Sequence, residues 1–180
     1  MIEVVLSRPS SASLISWLIR KVIKFDASHA SIHFMRSDAF GGQPMVFEAV
    51  GSGARVVHAR QWDTHNVRVE SFVLGKEHEE IGWVALERMW PMLGLPYDYP
   101  GVLSFLWRML VHAIGGSAKV PSSPYAVFCS ELVVRWLTNI RALSQMGPAS
   151  KLADASSPAD IATLVDEMSM FGGPTCEFSS

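Results

Sequence analysis

Short strand-like segments between residues 29 and 74 constrain the fold of this chain more than any other feature. They cover residues 29–35, 45–50, 54–59 and 67–74, and glycine turns at residues 41–42 and 51–53 separate the first three. A further strand is predicted at Glu3 to Leu6. Successive strands joined by short turns imply an antiparallel sheet with helices gathered around it. The fold class that this predicts is α+β.

Two stretches around these strands carry the apolar spacing of helices. In the segment from Ser13 to Lys24 the apolar positions are Leu14, Ile15, Leu18, Ile19, Val22 and Ile23. A second helix is predicted from Glu79 to Met92, with Ile81, Val84, Ala85 and Met89 facing inward. No repeat or second domain is visible, so we expect one domain over residues 1–170 and a flexible tail over residues 171–180.

Composition narrows the classes of partner. The net charge is −2, only 18% of the residues are charged, and no basic cluster occurs, which excludes a nucleic-acid binder. The mean hydropathy of +0.22 is high for a soluble domain and indicates apolar surface covered by a protein, a lipid or another subunit. The oligomeric state stays open.

The N-terminus and the metal-binding residue types also give expectations. Met1 to Leu6 opens like a strand with an acidic residue and lacks the basic region of a secretory signal. We therefore expect a protein of the cytoplasm or of a larger particle such as a virion. The six histidines lack ligand spacing and no Cys-x-x-Cys occurs, so we expect no cofactor and no metal. Both Cys129 and Cys176 are expected to be free thiols.

Cys129 is the strongest candidate for chemistry. Leu132, Val133, Trp136 and Leu137 fall on one helical face, and the turn-prone residues 121–124 cannot continue that helix backwards. Cys129 therefore lies in or next to a first helical turn, where unpaired N–H groups and the helix dipole favour a thiolate. A thiolate is a nucleophile, which indicates covalent catalysis. The alternative is a small buried hydrophobic residue.

A thiol of this kind needs a base, and an alternating segment upstream offers two histidines. Ala30, Ile32 and Phe34 point one way, whereas His29, Ser31 and His33 point the other. The two histidines lie roughly 13 Å apart along a strand, so only one can serve Cys129. Glu48, within a second apolar strand, would orient that histidine. Alternatively, Glu48 faces water from an edge strand.

Residues 101–114 form a segment that is apolar nearly all round, but it is shorter than a membrane span. It is either a core helix, a peripheral lipid or acyl-chain contact, or a protein docking face.

The order of these motifs resembles a known family. His29 in Ser-His-Ala-Ser-Ile, Glu48 in Phe-Glu-Ala-Val, the Leu-Pro-Tyr-Asp of residues 95–98 and Cys129 in Phe-Cys-Ser-Glu-Leu-Val follow one another. The set looks like the circularly permuted branch of the NlpC-type papain-like cysteine hydrolases, in which the histidine precedes the cysteine helix. Ser157 to Ala162 is similar to a helix start near the end of such proteins. The resemblance spans about residues 2 to 165.

This resemblance implies a papain-like fold with Cys129 as nucleophile, His29 as base and Glu48 as its orienting residue. Tyr97, Phe128 and Ser130 would line the substrate site, although many relatives carry tyrosine in place of Phe128. The substrate would be an amide, such as a cell-wall peptide, or an acylated compound. The alternatives are a non-catalytic component of a larger assembly, such as a phage particle or secretion apparatus, and a lipid- or acyl-binding module.

Overall fold

The order of helices and strands follows the predicted succession, except that a short helix at Ala59–Asp63 was not predicted. A computed structural model describes residues 1–36, 38, 40–113, 128–144, 157–168 and 170–172. The strands are β1 (Ile2–Pro9), β2 (His29–Phe34), β3 (Met45–Val50), β4 (Gly53–His58) and β5 (Asn66–Val73). The helices are α1 (Leu14–Ile23), α2 (Ala59–Asp63), α3 (Glu79–Glu87), α4 (Tyr99–Ala113), α5 (Cys129–Leu143) and α6 (Pro158–Glu167). Short 3₁₀ turns occupy Phe40–Gly42, Lys76–His78 and Trp90–Met92.

Within the described residues, one antiparallel sheet has the strand order β4-β3-β2-β1-β5. β3 and β4 form a hairpin closed between Val50 and Gly53, where the positive φ of 106° at Gly53 suits glycine. β2 and β3 are therefore interior strands. The prediction of an α+β domain with an antiparallel sheet is confirmed.

The main core lies on one face of the sheet. Alternate residues of the strands, such as Ala30, Ile32 and Phe34, pack there against buried side chains of α3, α5 and α6. The indole nitrogen of Trp136 on α5 donates to the Gly82 carbonyl on α3 over 3.1 Å, which ties these helices together. On the opposite face, Trp62 of α2 closes a smaller apolar cluster.

Helix α3 is shorter than predicted. It ends at Glu87, and Trp90–Met92 forms a 3₁₀ turn instead. Pro91 explains the end, because its ring clashes with the carbonyl four residues earlier, that of Glu87, and it has no N–H to donate. Ala85 and Met89 are buried as expected, whereas Ile81 and Val84 are half-buried.

The C-terminal part of the chain packs slightly further than the expected tail boundary. Phe171 forms a bridge with Leu74, its ring lies 6.1 Å from that of Trp136, and the Gly172 N–H donates to the carbonyl of Val73. Packing therefore reaches Gly172. Residues 173–180, including Cys176, lie outside the described residues.

Helix α1 turns its apolar side outward, contrary to the usual orientation of an amphipathic helix. Leu14, Ile15 and Leu18 are exposed, whereas Ser16 is buried and pairs with the Ser28 hydroxyl over 2.6 Å. None of the described helices is both long enough and apolar enough to cross a membrane.

Candidate active site

The thiol of Cys129 lies at the start of α5. Phe128 precedes it with an extended backbone, φ −110° and ψ 167°, so the helix begins at Cys129 itself. Leu132, Val133 and Trp136 are buried in the core and hold this helix end against the sheet. The N–H groups of the first helical turn have no partner within the helix, which creates a positive environment around the sulfur.

His29 is the first residue of β2, and its ring interacts with both Glu48 and Cys129. The β2–β3 pairing runs from Phe34↔Met45 only as far as Ile32↔Phe47, so His29 lies beyond the paired part. Its Nε2 is 3.0 Å from Oε2 of Glu48, and its ring also hydrogen-bonds to the side chain of Cys129. Because Nε2 hydrogen-bonds to Glu48, Nδ1 is the ring nitrogen left to interact with the sulfur of Cys129.

Glu48 is buried in the middle of β3, with 1% of its surface exposed. Its Oε2 accepts from His29 and, over 3.1 Å, from the indole nitrogen of Trp62. Its Oε1 accepts from Nε and Nη2 of Arg55 over 3.0 and 2.7 Å. Burial raises the pKa of this carboxyl, but the hydrogen bonds and charges of His29 and Arg55 outweigh it and lower the pKa. The alternative of a carboxylate facing water from an edge strand is wrong.

Cys129 and His29 shift each other's ionisation. Burial raises the pKa of the Cys129 thiol. The hydrogen bond and charge interaction with His29, together with hydrogen bonds from the Ala30 N–H and Ser130, outweigh burial and lower that pKa below its ordinary value. Burial lowers the pKa of His29, but Cys129 and Glu48 outweigh it and raise that pKa to about 10. Each shift favours the charged form of its group, so the contacts favour a thiolate–imidazolium pair beside the Glu48 carboxylate.

The three residues expected to line the site differ in their relation to the thiol. Ser130 is buried and hydrogen-bonds to the Cys129 side chain. Tyr97 is half-buried and hydrogen-bonds to it as well; burial and the charge of Cys129 both raise the pKa of its phenol, so it stays a donor. Phe128 is half-buried just before the helix, and its carbonyl accepts from the Leu132 N–H. Asp98 is structural: it caps α4 through the Gly101 N–H.

His33 belongs to a separate network. Its Nδ1 accepts from Nη2 of Arg68 over 3.1 Å, since arginine can only donate, and its Nε2 therefore donates to the Ser31 hydroxyl over 3.1 Å. Burial and the nearby cations Arg68 and His29 hold the pKa of His33 well below its usual range. His33 is therefore neutral, and neither of these two hydrogen bonds involves Cys129. The expectation that only one histidine can serve the thiol agrees with this geometry.

Two residues that hydrogen-bond to Glu48, Arg55 and Trp62, were not predicted from the sequence. Arg55 pairs directly across the hairpin with Glu48, and Trp62 lies on α2. The Gly-Ser-Gly turn carries the signal for Arg55: closing the hairpin between Val50 and Gly53 sets residue 55 opposite residue 48. Nothing in the sequence pattern indicates Trp62, because its approach to Glu48 depends on how α2 folds back on the sheet.

A groove of about 510 Å³ opens beside this constellation. His29 and Glu48 line its polar side, and Tyr97, Tyr99 and Ile15 are among the residues that line the rest. Among the residues that the structure describes, no group of three or more His, Cys, Asp and Glu side chains is arranged to hold a metal ion. Cys129 itself is buried, with 7% of its surface exposed, and does not line this groove, which reaches the site at His29 and Glu48.

Comparison with known proteins gives a fold likeness. No family model matches the chain, and no curated protein matches it. Among solved structures, the chain is similar to the Escherichia coli O157:H7 metalloprotein YiiX, of the family DUF1105, with a TM-score of 0.58 and 20% sequence identity. The match covers 99% of this chain and 97% of that one. At this identity the likeness shows the fold alone.

Proposed function

We propose that this protein is a cysteine hydrolase of the circularly permuted NlpC type, cleaving an amide or an acyl bond. The observation that carries the proposal is the hydrogen-bonded series Cys129–His29–Glu48, in which a thiol at a helix start meets an imidazole held by a buried carboxylate. This is the arrangement that activates a nucleophile and fixes the orientation of its base.

The arrangement of the elements supports the family assignment. The histidine strand β2 precedes the cysteine helix α5 by about 100 residues of chain, as the permuted order requires, and β3 supplies Glu48 between them. A buried ion pair of this kind is costly to maintain, since each charge leaves water. A purely structural cysteine would pack equally well as a neutral thiol.

The first chemical step follows from the ionisation of the pair. The Cys129 thiolate attacks the carbonyl carbon, forming a C–S bond while the carbonyl electrons move to oxygen. The tetrahedral oxyanion then collapses and expels the amine or alkoxide, which takes the proton from Nδ1 of His29. A thioester remains on Cys129, and Glu48 holds the histidine ring in place through both protonation states.

Water resolves the thioester in the second step. It gives a proton to Nδ1 of His29 as its oxygen attacks the thioester carbon, and the second tetrahedral intermediate expels the Cys129 thiolate. The acid is released and the thiolate–imidazolium pair is restored. An acceptor other than water would make the same intermediate an acyltransferase intermediate.

Two donors are suited to stabilise the oxyanion. One is the backbone N–H of Cys129, at the first position of α5, where it has no partner within the helix. The other is the Tyr97 hydroxyl, which donates to the sulfur in the resting site. Movement of that donor from sulfur to the developing oxyanion would stabilise the transition state more than the ground state.

The similar protein YiiX is a metalloprotein, and a metal in this chain would need suitable ligands at the corresponding site. Cys129, His29 and Glu48 are all zinc-ligand residue types, but Nε2 of His29 and the Glu48 carboxylate hydrogen-bond to each other, and the described part of the chain has no group of three His, Cys, Asp or Glu side chains arranged to hold a metal ion. The site therefore does not offer the three or four protein ligands that zinc takes. The described residues therefore do not fit a resident metal, and the mechanism uses none.

A nitrophenyl acyl ester tests this function, because its acyl transfer can be followed by both product release and mass. The protein would carry Cys176→Ser, so that any adduct reports on Cys129. We expect a burst of one nitrophenolate per molecule and an acyl group on the peptide that contains Cys129.

Matched variants define the outcome of that test. Cys129→Ala should abolish both burst and adduct, and His29→Ala should reduce the burst rate by about 100-fold or more. His33→Gln is the control and should retain the burst. If the wild-type site forms no acyl adduct with esters or with an acyl-amide substrate, the hydrolase proposal fails and a non-catalytic module replaces it.

A further inference from the structure

The outer side of α1 is apolar although it faces solvent. Leu14 is 80% exposed, and Ile15, Trp17 and Leu18 are also exposed. These four residues contribute nothing to the main core. A helix that buries its serine and exposes its leucines does not gain stability from this orientation in water, so another apolar phase is the natural partner of this side.

Helix α4 continues the apolar surface. Tyr99, Leu103 and Trp107 recur every four residues and therefore share one helical face. Leu103 and Trp107 are 65% and 62% exposed, and Tyr99 is exposed as well. The side chains of Phe105 and Leu110, which the acyl-contact hypothesis for residues 101–114 also involves, lie outside the described part of the chain.

The two helices form one surface that borders the candidate active site. α1 and α4 contact each other, and Ile15 of α1 and Tyr99 of α4 line the groove that also contains His29. We call the exposed residues the α1–α4 face: Leu14, Ile15, Trp17, Leu18, Tyr99, Leu103 and Trp107. With aromatic side chains presenting about 150–250 Å² each when fully exposed, this face amounts to several hundred Å², the size of a functional patch.

Charge around the α1–α4 face is positive, although the whole chain carries a net charge of −2. α1 has no acidic residue, and Arg20, Lys21 and Lys24 lie at its end. Together with Trp17 they line a concavity of about 400 Å³. The one carboxylate that lines it, Asp26, pairs with Arg8 and Arg20. This combination of exposed tryptophans with adjacent cations suits the boundary between acyl chains and anionic headgroups.

We propose that the α1–α4 face docks onto an anionic lipid bilayer. The apolar side chains enter the acyl-chain boundary, Trp17 and Trp107 lie at headgroup level, and Lys21 and Lys24 meet phosphate or serine headgroups. Docking turns the groove with His29 toward the membrane. The inference goes beyond the proposed hydrolase, since docking needs no turnover; a lipid acyl group as substrate would rest on both.

A second copy of this chain is the main competing occupant. A two-fold interface through the same face would place the like charges of Lys21 and Lys24 from both copies in one interface, to which α1 contributes no carboxylate. Such like charges repel, whereas an anionic membrane neutralises them. The charge pattern therefore favours the lipid surface over self-association.

Vesicle sedimentation of the full chain tests the proposal. Vesicles of phosphatidylcholine with and without phosphatidylserine would be compared, and tryptophan emission followed in parallel. We expect binding to the anionic vesicles, a blue shift as Trp17 and Trp107 leave water, and weaker binding at high salt. Leu14→Ser/Leu103→Ser should weaken binding at least tenfold, and Lys21→Glu/Lys24→Glu should abolish the preference for phosphatidylserine.

Controls at the opposite end of the sheet make the result specific. Met35→Ser removes an exposed apolar residue and Lys76→Glu reverses an exposed cation, and both should bind as wild type does. Cys129→Ala should also bind unchanged, which separates docking from catalysis. The proposal is overturned if the protein does not bind these vesicles, if the controls weaken binding as much as the face variants, or if the face instead holds a dimer that the leucine variants dissociate.

Discussion

Replacing Glu48 by Gln tests the central hydrogen-bond network, since it preserves shape and removes charge. The carboxylate accepts four hydrogen bonds, and all four come from donors on His29, Trp62 and Arg55. A glutamine side chain has one acceptor oxygen and one NH₂ group, which only donates. Whichever way the amide turns, its NH₂ group faces donors.

The structure indicates which of the Glu48 hydrogen bonds are broken in Glu48→Gln. Trp62 is buried, whereas the Arg55 side chain is 45% exposed and can turn to water. We therefore expect the amide oxygen to face His29 and Trp62, leaving the Arg55 bonds broken but partly replaced by solvent. The cost in free energy of unfolding should be about 1–3 kcal/mol, the range for lost charge-assisted bonds after solvent compensation. Glu48→Ala also leaves the Trp62 donor unpaired and should cost about 3–5 kcal/mol.

The same change should weaken the nucleophile. Without the carboxylate the imidazolium is less stable, so the pKa of His29 falls and the pKa of Cys129 rises. One charge-assisted bond of about 1.5 kcal/mol corresponds to about one pKa unit, so the pH at which iodoacetamide alkylation of Cys129 reaches half its maximum rate should rise by about one unit. Urea unfolding and peptide mapping measure the two effects, with exposed Glu80→Gln as control. If Glu48→Gln changes stability and alkylation no more than Glu80→Gln does, the network is not what holds the site.

The remaining predictions concern the same site. In a Cys176→Ser protein, His29→Ala should slow alkylation of Cys129 at least tenfold near pH 6, where an unpaired thiol of pKa about 8.5 is protonated, and His33→Gln should leave the rate within about twofold. Tyr97→Phe should raise the pKa of Cys129 and lower the acylation rate about tenfold to 100-fold, since one donor to the sulfur and oxyanion is lost. The Cys129–His29 pair should contribute most to stability between about pH 6.5 and 8.5. Below this range, as the pH falls toward the lowered pKa of Cys129, the thiolate is protonated and its contribution is lost. Above it, as the pH rises toward the raised pKa of His29, about 10, the imidazolium loses its proton and its contribution is lost. Comparing the free energy of unfolding of the wild type and a Cys129→Ser/His29→Ala variant across pH checks this, and a flat difference between pH 4 and 10, to about 0.5 kcal/mol, would contradict it.

Local patterns predicted the sheet well, because each strand alternates or is closed by glycine. Strand β3 matches its predicted bounds, residues 45–50, and the other segments differ by about one to three residues at their ends. The orientation of α1 could not be predicted from such local patterns. Spacing identifies an apolar face but cannot tell whether the face meets the core, a partner or a membrane, which depends on tertiary packing.

The candidate site could likewise be predicted only in part from the sequence. His29, Glu48 and Cys129 are visible in the sequence because their residue types are unusual for their local settings, a carboxylate in an apolar strand above all. Arg55 was predictable in principle from the hairpin register. Trp62 was not, since its bond to Glu48 crosses from α2 to β3 and leaves no periodic signal.

The ionisation of Cys129 tests the thiolate–imidazolium pair most directly. Thiolate absorbance in the ultraviolet, titrated against pH in Cys176→Ser protein and corrected with Cys129→Ala in the same background, reports that single thiol. We predict a midpoint well below the ordinary thiol value of about 8.5, shifted upward in His29→Ala. A midpoint at or above that value, unaffected by His29→Ala, would contradict the thiolate–imidazolium pair and with it the proposed hydrolase.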